Sequence, residues 1–378
     1  MKQAAAKVCH LTTVHDPFDD RIFHRECRTL AAAGYDVTLI AQHGGNETVQ
    51  EVDILGLPKA KSRTQRILGI TWKALWRAIR QKADIYHFHD PELLPAGVFL
   101  KLLTGKKVIY DVHEDYGRQI LYKPYFPRRI RRIVACAVGA IEHIAARCFD
   151  AIVTATDDIQ AQFAHHKRAV SIKNFPILSY FQNISRTDGN GTGRHAVFTI
   201  VYIGVLAEAR GALEMVRALE YINMPVRMAL YGNYYPESLE LRVANAKGGG
   251  KVDYMGLLSH EKVVQLLKNY DAGIVCLHPT LNYLTALPVK LFEYMAAGIP
   301  VIASNFPLWK GIVEDNGCGI CVNPLDPEDI ARAIDVLMRN PEAGKEMGKK
   351  GRKAVLEKYN WDKESGKLLN VYKEVLQR

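Results

Sequence analysis

Residues Pro288 to Asn305, PVKLFEYMAAGIPVIASN, read as a one-sided helix, a glycine turn and a short apolar strand, VIAS. Leu291, Met295 and the small Ala296–Ala297 pair give the helix an inward face. Gly298 sits where a helix C-terminus needs a residue tolerant of positive φ, and Pro300 blocks continuation. Lys290 stands at the helix start and Glu293 one turn later. A helix start already favours anions, so a lysine there suits a phosphate, while a glutamate suits a diol. The same spacing also serves an amphipathic helix with a solvated Lys/Glu pair, and spacing alone leaves both readings open.

The rest of the chain repeats this unit. Lys7–Val14 is a short apolar strand followed by the loop HDPFDDR, a helix of roughly Ile22 to Ala33 ending at Gly34, and the strand YDVTLIA. ADIYHFHD, the helix LLPAGVFLKLL and the strand KKVIYDVHED continue the rhythm, which is the signature of a parallel α/β sheet. Ligands of such folds sit outside the carboxyl ends of the strands, so HDPFDDR, His89–Asp90 and His113–Glu114 are expected on one rim. DAIVTATDD and AVSIKNFP close a first domain over residues 1–178. Residues 179–198 lose periodicity and gain Gly, Asn, Ser and Thr, as a linker does. A second domain over 199–360 opens with a strand ending at Gly204 and a loop carrying Arg210, then repeats with Gly232. A last amphipathic stretch occupies 361–378.

The organising stretch goes further than spacing. EYMAAGIPVIAS resembles the nucleotide-sugar helix of retaining glycosyltransferases of family 4, in which two glutamates have seven residues between them and the second opens an "EAMAxGxPVIAS"-like run. Glu293 matches the second glutamate, and Thr285 occupies the position of the first, a departure that leaves Lys290 to take part of the polar work. The resemblance extends to YIG…ARG, with Arg210 at the basic position for the donor diphosphate, and to YDVHEDY, with His113 near the reacting sugar. It covers nearly the whole chain and implies a GT-B architecture: two Rossmann-like domains facing a cleft, with the C-terminal helix crossing back to the first. It further implies a retaining, metal-independent transfer of a hexose-type unit from a nucleotide-diphosphate sugar to a hydroxyl acceptor, with no cofactor and UDP favoured over GDP. His113, Arg210 and Lys290 are the expected catalytic groups, and Gly204, Arg210, Gly232, Lys290 and Glu293 the expected donor-binding ones. Bacterial surface polysaccharide or glycolipid assembly is the setting this implies.

Composition narrows the alternatives. The chain has 378 residues, long for one core, with 48% hydrophobic and 24% charged residues, an ordinary globular balance. Seven scattered cysteines, an opening without a long apolar core and the lack of a long apolar run suit a cytoplasmic protein. Residues 1–185 carry 26 Lys+Arg against 18 Asp+Glu, a net +8, leaving +2 of the total +10 for the remainder. A basic first half suits phosphorylated substrates, an anionic membrane face or a nucleic acid. The arginines Arg128, Arg129, Arg131 and Arg132, preceded by Lys123 and Tyr125–Phe126, start an apolar helix. They read either as a membrane-docking face, which also suits a lipid-linked acceptor, or as the solvated side of a core helix. No nucleic acid is expected, because no helix-turn-helix or RNA-binding signature appears. A nucleotide-sugar epimerase on the same fold is the remaining enzymatic alternative; it requires acid/base carboxylates and no acceptor.

No metal site is expected. Cys318-Gly-Ile-Cys321 lacks a second pair and falls in an apolar strand. His87 and His89 point the same way on a strand, but no carboxylate lies at a specific spacing, and Asp90 alternates to the other face. Asp19–Asp20 and Asp157–Asp158 are not a spaced D-x-D, and no phosphate loop of the G-x-x-x-x-G-K-[ST] kind is present.

Overall fold

The computed structural model describes residues 5–122, 127–182 and 197–377. The chain divides into two compact units, Met1–Asn174 with Asp362–Arg378, and Phe175–Trp361. Of the expected linker, residues 183–196 lie outside the described residues.

The first unit is built on an eight-stranded sheet in the order β3-β4-β2-β1-β5-β6-β7-β8. Its strands are β1 (Lys7–Leu11), β2 (Asp36–Gln42), β3 (Asn46–Val49), β4 (Val52–Leu57), β5 (Ile85–Phe88), β6 (Lys107–Val112), β7 (Ala151–Thr154) and β8 (Ala169–Ser171). All neighbours run parallel except β3 on β4. Strands β5 and β7 are buried along their whole length, which is why they read as unbroken apolar runs. The β3–β4 hairpin escapes sequence reading. Its two-residue connection, Gln50–Glu51, takes φ of 50° and 63°, values usually signalled by Asn-Gly. The expected helix after HDPFDDR is present, but its first turns, Ile22–Cys27, are wide π-type turns before the α-helix Arg28–Ala32.

The second unit holds a six-stranded, all-parallel sheet in the order β11-β10-β9-β12-β13-β14. Its strands are β9 (Phe198–Ile203), β10 (Val226–Tyr231), β11 (Val252–Gly256), β12 (Ala272–Val275), β13 (Val301–Ser304) and β14 (Gly319–Val322). The organising stretch folds as read: helix Val289–Ala296, then Gly298 at φ 72°, then β13. Leu291 and Met295 are fully buried, and Tyr294 Oη accepts a hydrogen bond from the Ile203 amide at 3.1 Å, pinning the helix to the end of β9. Cys318 is buried at the head of β14 and Cys321 is half-buried within it, so the C-x-x-C spacing reflects packing.

A helix the sequence reading passed over, Pro341–Glu357, lies against this turn. Its buried face is Gly344, Gly348 and Gly351, joined only in the last turn by Ala354 and Val355, so its apolar period is weak. The missing side chains let two backbones meet: a Cβ on Gly348 would overlap the carbonyl oxygen of Gly298. Gly348→Ala is therefore expected to destabilise the second unit by about 2–3 kcal/mol through overpacking, whatever helix propensity it adds. Urea unfolding followed by the buried Trp309 tests this; an unchanged or raised midpoint would show that the contact relaxes freely.

Candidate functional site

Each unit carries a polar cluster at the carboxyl ends of its strands. In the second unit, β9 ends at Ile203 and the chain turns at Gly204, where φ is 125°. A Cβ there would lie 2.6 Å from Lys290 Nζ and 3.7 Å from an Arg210 guanidinium nitrogen. The two cations thus flank a bare stretch of backbone. Gly232, at the end of β10 with φ 133°, packs directly on Gly204, and a Cβ on it would overlap the Gly204 carbonyl. Neither position admits a side chain, for reasons of both φ and space.

Lys290 Nζ is buried, stands 4.0 Å over the Tyr202 ring and has no hydrogen-bond partner among the described residues. Burial, reinforced by the neighbouring Arg210 charge, pushes its pKa well below the usual lysine value, while Glu293 pulls the other way. Arg210 is held against the hydroxyls of Tyr202 and Tyr283, which outweigh its own burial and keep it firmly charged. Glu293 is buried one turn along the helix from Lys290. Thr285 caps the C-terminus of the short helix Leu281–Leu284. The fold thus unites Gly204, Arg210, Gly232, Lys290 and Glu293. Tyr202, Tyr283 and Tyr294 were not foreseen, because in sequence they pass for ordinary strand and helix residues.

His113 belongs to the first unit. There the fold gathers His10, His15, His87, His89, Asp90, Asp111 and His113, together with Arg21 and Glu26. Arg21 clamps Asp111 with two bonds, Nε to Oδ2 at 2.7 Å and Nη2 to Oδ1 at 2.8 Å. His89 Nδ1 lies 3.1 Å and His113 Nε2 3.0 Å from the same Asp111 Oδ2. Asp90 turns the other way, accepting from the Thr13 amide at 2.5 Å and Thr12 Oγ1 at 3.0 Å. His15 lies 3.4 Å from Asp19 and 3.5 Å from Asp90.

The strand histidines have no carboxylate at a specific spacing in sequence, but the fold brings two to them. Asp111 and Glu26 reach them from other segments, Glu26 Oε2 standing 3.8 Å from His87 Nδ1, a proximity that spacing along one strand does not reveal. Burial would raise Asp111, but Arg21 and His113 outweigh it and hold the carboxyl well below its usual range. Burial, backed by the Asp111 charge, pushes Glu26 well above that range. Burial lowers His89 to about 4 against the pull of Asp111. Two groups of described residues place imidazole and carboxylate atoms close enough to share an ion: His10, Glu26, His87 and His89, and His89, Asp111 and His113.

Of the expected basic cluster, Arg129 and Arg132 are exposed, whereas Arg131 Nη1 turns back to the Leu121 carbonyl at 3.2 Å. Lys123, Tyr125, Phe126 and the side chain of Arg128 lie outside the described residues. No described helix is long and apolar enough to cross a membrane.

Comparison with known proteins matches both units. A family model described as "Glycosyl transferases group 1" matches residues 193–354, and one described as "Glycosyltransferase Family 4" matches residues 20–173. The chain is 31% identical over 304 residues to a phosphatidyl-myo-inositol mannosyltransferase of Mycobacterium leprae, covering 77% of this chain and 74% of that one. It is 28% identical over 182 residues to an uncharacterized glycosyltransferase of Methanocaldococcus jannaschii, 46% of this chain and only 44% of the relative's length. Among solved structures, sucrose-phosphate synthase from Thermosynechococcus elongatus superposes with a TM-score of 0.80 at 18% identity, covering 98% and 99% of the two chains. Anabaena HepE in complex with UDP superposes with 0.72 at 13% identity, covering 97% and 100%. At these identities the structures show the shared GT-B fold.

A buried lysine with a depressed pKa beside an arginine should bind an anion together with a proton. An anion raises the Lys290 pKa, so between the free and bound values binding takes up a proton and affinity falls as pH rises. Titration calorimetry with pyrophosphate in two buffers of different ionisation enthalpy measures that uptake. Buffer-independent heats, or uptake persisting in Lys290→Met, would assign it elsewhere.

Proposed function

Because the chain belongs to the glycosyl transferases group 1 and family 4 glycosyltransferases, we propose that it is a retaining enzyme that transfers a hexose-type sugar from a nucleotide-diphosphate donor to a hydroxyl acceptor. The observation that carries this reading is the pair of cations at Gly204. Lys290 and Arg210 converge on open backbone, and Lys290 Nζ has no partner among the described residues. Two like charges in a buried setting repel unless an anion joins them, and a diphosphate against the helix start fits.

In this reading Lys290 and Arg210 hold the diphosphate at Gly204 and Gly232, and Glu293 takes the ribose diol. As the anomeric carbon–oxygen bond breaks, the electron pair stays with the diphosphate, whose growing charge the two fixed cations stabilise without a metal at the leaving group. The acceptor oxygen bonds to the anomeric carbon on the face that the diphosphate leaves, and its proton passes to a phosphate oxygen. His113 is assigned to the reacting sugar. UDP is the favoured base, supported by the UDP complex of the Anabaena neighbour. A panel of UDP-, GDP- and ADP-sugars read by thermal shift tests the donor; saturation at about 100 times Kd stabilises by about 2.7 kcal/mol.

The acceptor is read as lipid-linked, on an anionic membrane face. Helix Arg128–Ala146 exposes Ile133, Ile141 and Ile144 alongside Arg129 and Arg132. Helices Thr71–Gln81 and Leu94–Thr104 expose Trp72, Trp76, Phe99, Leu102 and Leu103 and contain no acidic residue. Aromatic and aliphatic groups beside exposed cations suit a lipid headgroup layer.

Glu293→Ala should weaken donor binding by about 1.5–3 kcal/mol, the value of a hydrogen bond to a charged acceptor. Lys290→Ala and Arg210→Ala should lower kcat more than they raise KM, because leaving-group charge peaks in the transition state. Wild-type kinetics in all three folded variants would sink the assignment. His113→Ala should nearly abolish transfer while leaving nucleotide binding intact. For the membrane, co-sedimentation with phosphatidylglycerol vesicles should fall with added salt and when Arg128, Arg129, Arg131 and Arg132 are all changed to Gln. Equal pelleting of the two proteins would remove the arginines from the explanation.

A further inference from the structure

We propose that His89 Nδ1, Asp111 Oδ2 and His113 Nε2 form one face of a binding site for a divalent transition-metal ion on the first unit. This rests on the geometry of the first unit; His113 is also the residue assigned above to the reacting sugar, so the test reads metal binding and not transfer.

The three atoms form a nearly equilateral triangle, with sides of 3.1 Å, 3.0 Å and 3.2 Å. Metal–nitrogen and metal–oxygen bonds of about 2.0–2.2 Å, arranged tetrahedrally or octahedrally, give ligand–ligand edges of about 3.0–3.4 Å. Proton counting points the same way. A carboxylate oxygen is an acceptor only, and Asp111 Oδ2 already takes the Arg21 Nε–H at 2.7 Å. If both imidazoles also donate to it, one oxygen serves three donors and the 3.2 Å edge sets two N–H groups against each other. If one imidazole is bare, it accepts from the other across the 3.2 Å edge and makes no bond to Asp111, so one of the three contacts goes unused. An ion uses all three lone pairs together.

The surroundings are those of held ligands, whose far sides are normally hydrogen-bonded. Asp111 Oδ1 is fixed by Arg21 Nη2 at 2.8 Å, and His89 Nε2 lies 2.9 Å from His10 Nδ1. With His89 Nδ1 on the ion, its Nε2–H donates to His10 Nδ1. His10 Nε2–H then donates to Tyr372 Oη at 3.1 Å, and the Tyr372 hydroxyl donates to His87 Nδ1 at 2.7 Å. Each nitrogen on this path has one role. Arg21 opposes a dication, and the carboxylates of Asp111, Asp90 and Asp19 around it offset that charge.

Two imidazole nitrogens and one carboxylate oxygen select zinc, cobalt, iron or manganese over calcium or magnesium. His89 and Asp111 are fully buried, whereas His113 is 11% exposed and marks the way in. The free coordination positions suit oxygen donors, water or a substrate oxygen. The rival cluster of His10, Glu26, His87 and His89 is fully buried, and its carboxylate stands farther off, Glu26 Oε2 being 3.8 Å from His87 Nδ1.

The test uses the full chain stripped with a chelator. Calorimetry with Zn²⁺ should show one saturable site per chain, weakened at least about tenfold in His113→Ala. X-ray absorption of the zinc-loaded wild type should count two imidazoles plus oxygen ligands. Absence of saturable binding, or full binding by folded His113→Ala, overturns the proposal. So does a shell of three imidazoles, which places the ion in the interior cluster. The absorption spectrum decides even if the variant does not fold.

Discussion

Asp111 is the charge around which the first unit is assembled. It is fully buried, and a lone carboxylate there would be neutralised by desolvation; the two-pronged bond from Arg21 keeps it ionised. Arg21 in turn binds the Ile172 carbonyl at 2.8 Å and Asn174 Oδ1 at 2.7 Å, so one ion pair ties β6 to the chain beyond β8. Breaking a buried pair by removing one partner costs about 3–5 kcal/mol, because the other charge is left stranded. Asp111 therefore carries the architecture as well as the rim chemistry. His113, which hangs from it and touches solvent, separates the two roles where Asp111 cannot.

The second unit solves the opposite problem. Its two basic groups are brought together, and Lys290 Nζ is left without a hydrogen-bond partner among the described residues. What permits this is backbone geometry: Gly204 and Gly232 clear space that any side chain would fill. The aromatic face of Tyr202 gives partial compensation, since a ring under an ammonium is worth about 0.5–2 kcal/mol. Stability spent on keeping the pair open is recovered when an anion binds, so the free unit should be softest where it is most ready.

How much of this was legible in sequence depended on whether a feature was local. The helix, the turn at Gly298 and β13 lie within eighteen consecutive positions, and their apolar spacing and Gly-x-Pro punctuation read directly. Lys290 and Arg210 were singled out separately, and only folding shows that both reach Gly204. The hairpin at Gln50–Glu51 and the helix Pro341–Glu357 carry the wrong residues for their roles, left-handed turns without glycine and a buried face made chiefly of glycine. The histidine–carboxylate clusters stayed hidden because Glu26, Asp111 and Tyr372 come from segments far apart in the chain.

Tyr372 has a consequence for how the protein is made. Its hydroxyl, on helix Trp361–Leu376, bridges His87 and His10, and Glu364 on the same helix accepts the Lys173 amide at 3.0 Å. During synthesis the ribosome delivers the histidine-bearing strands well before this helix. The first unit waits, its buried imidazoles short of a partner, while the whole of Phe175–Trp361 is translated and can close on itself. The earlier-made unit is thus the later to finish, and a nascent chain stalled before residue 372 would hold a complete second unit beside an unsealed first one.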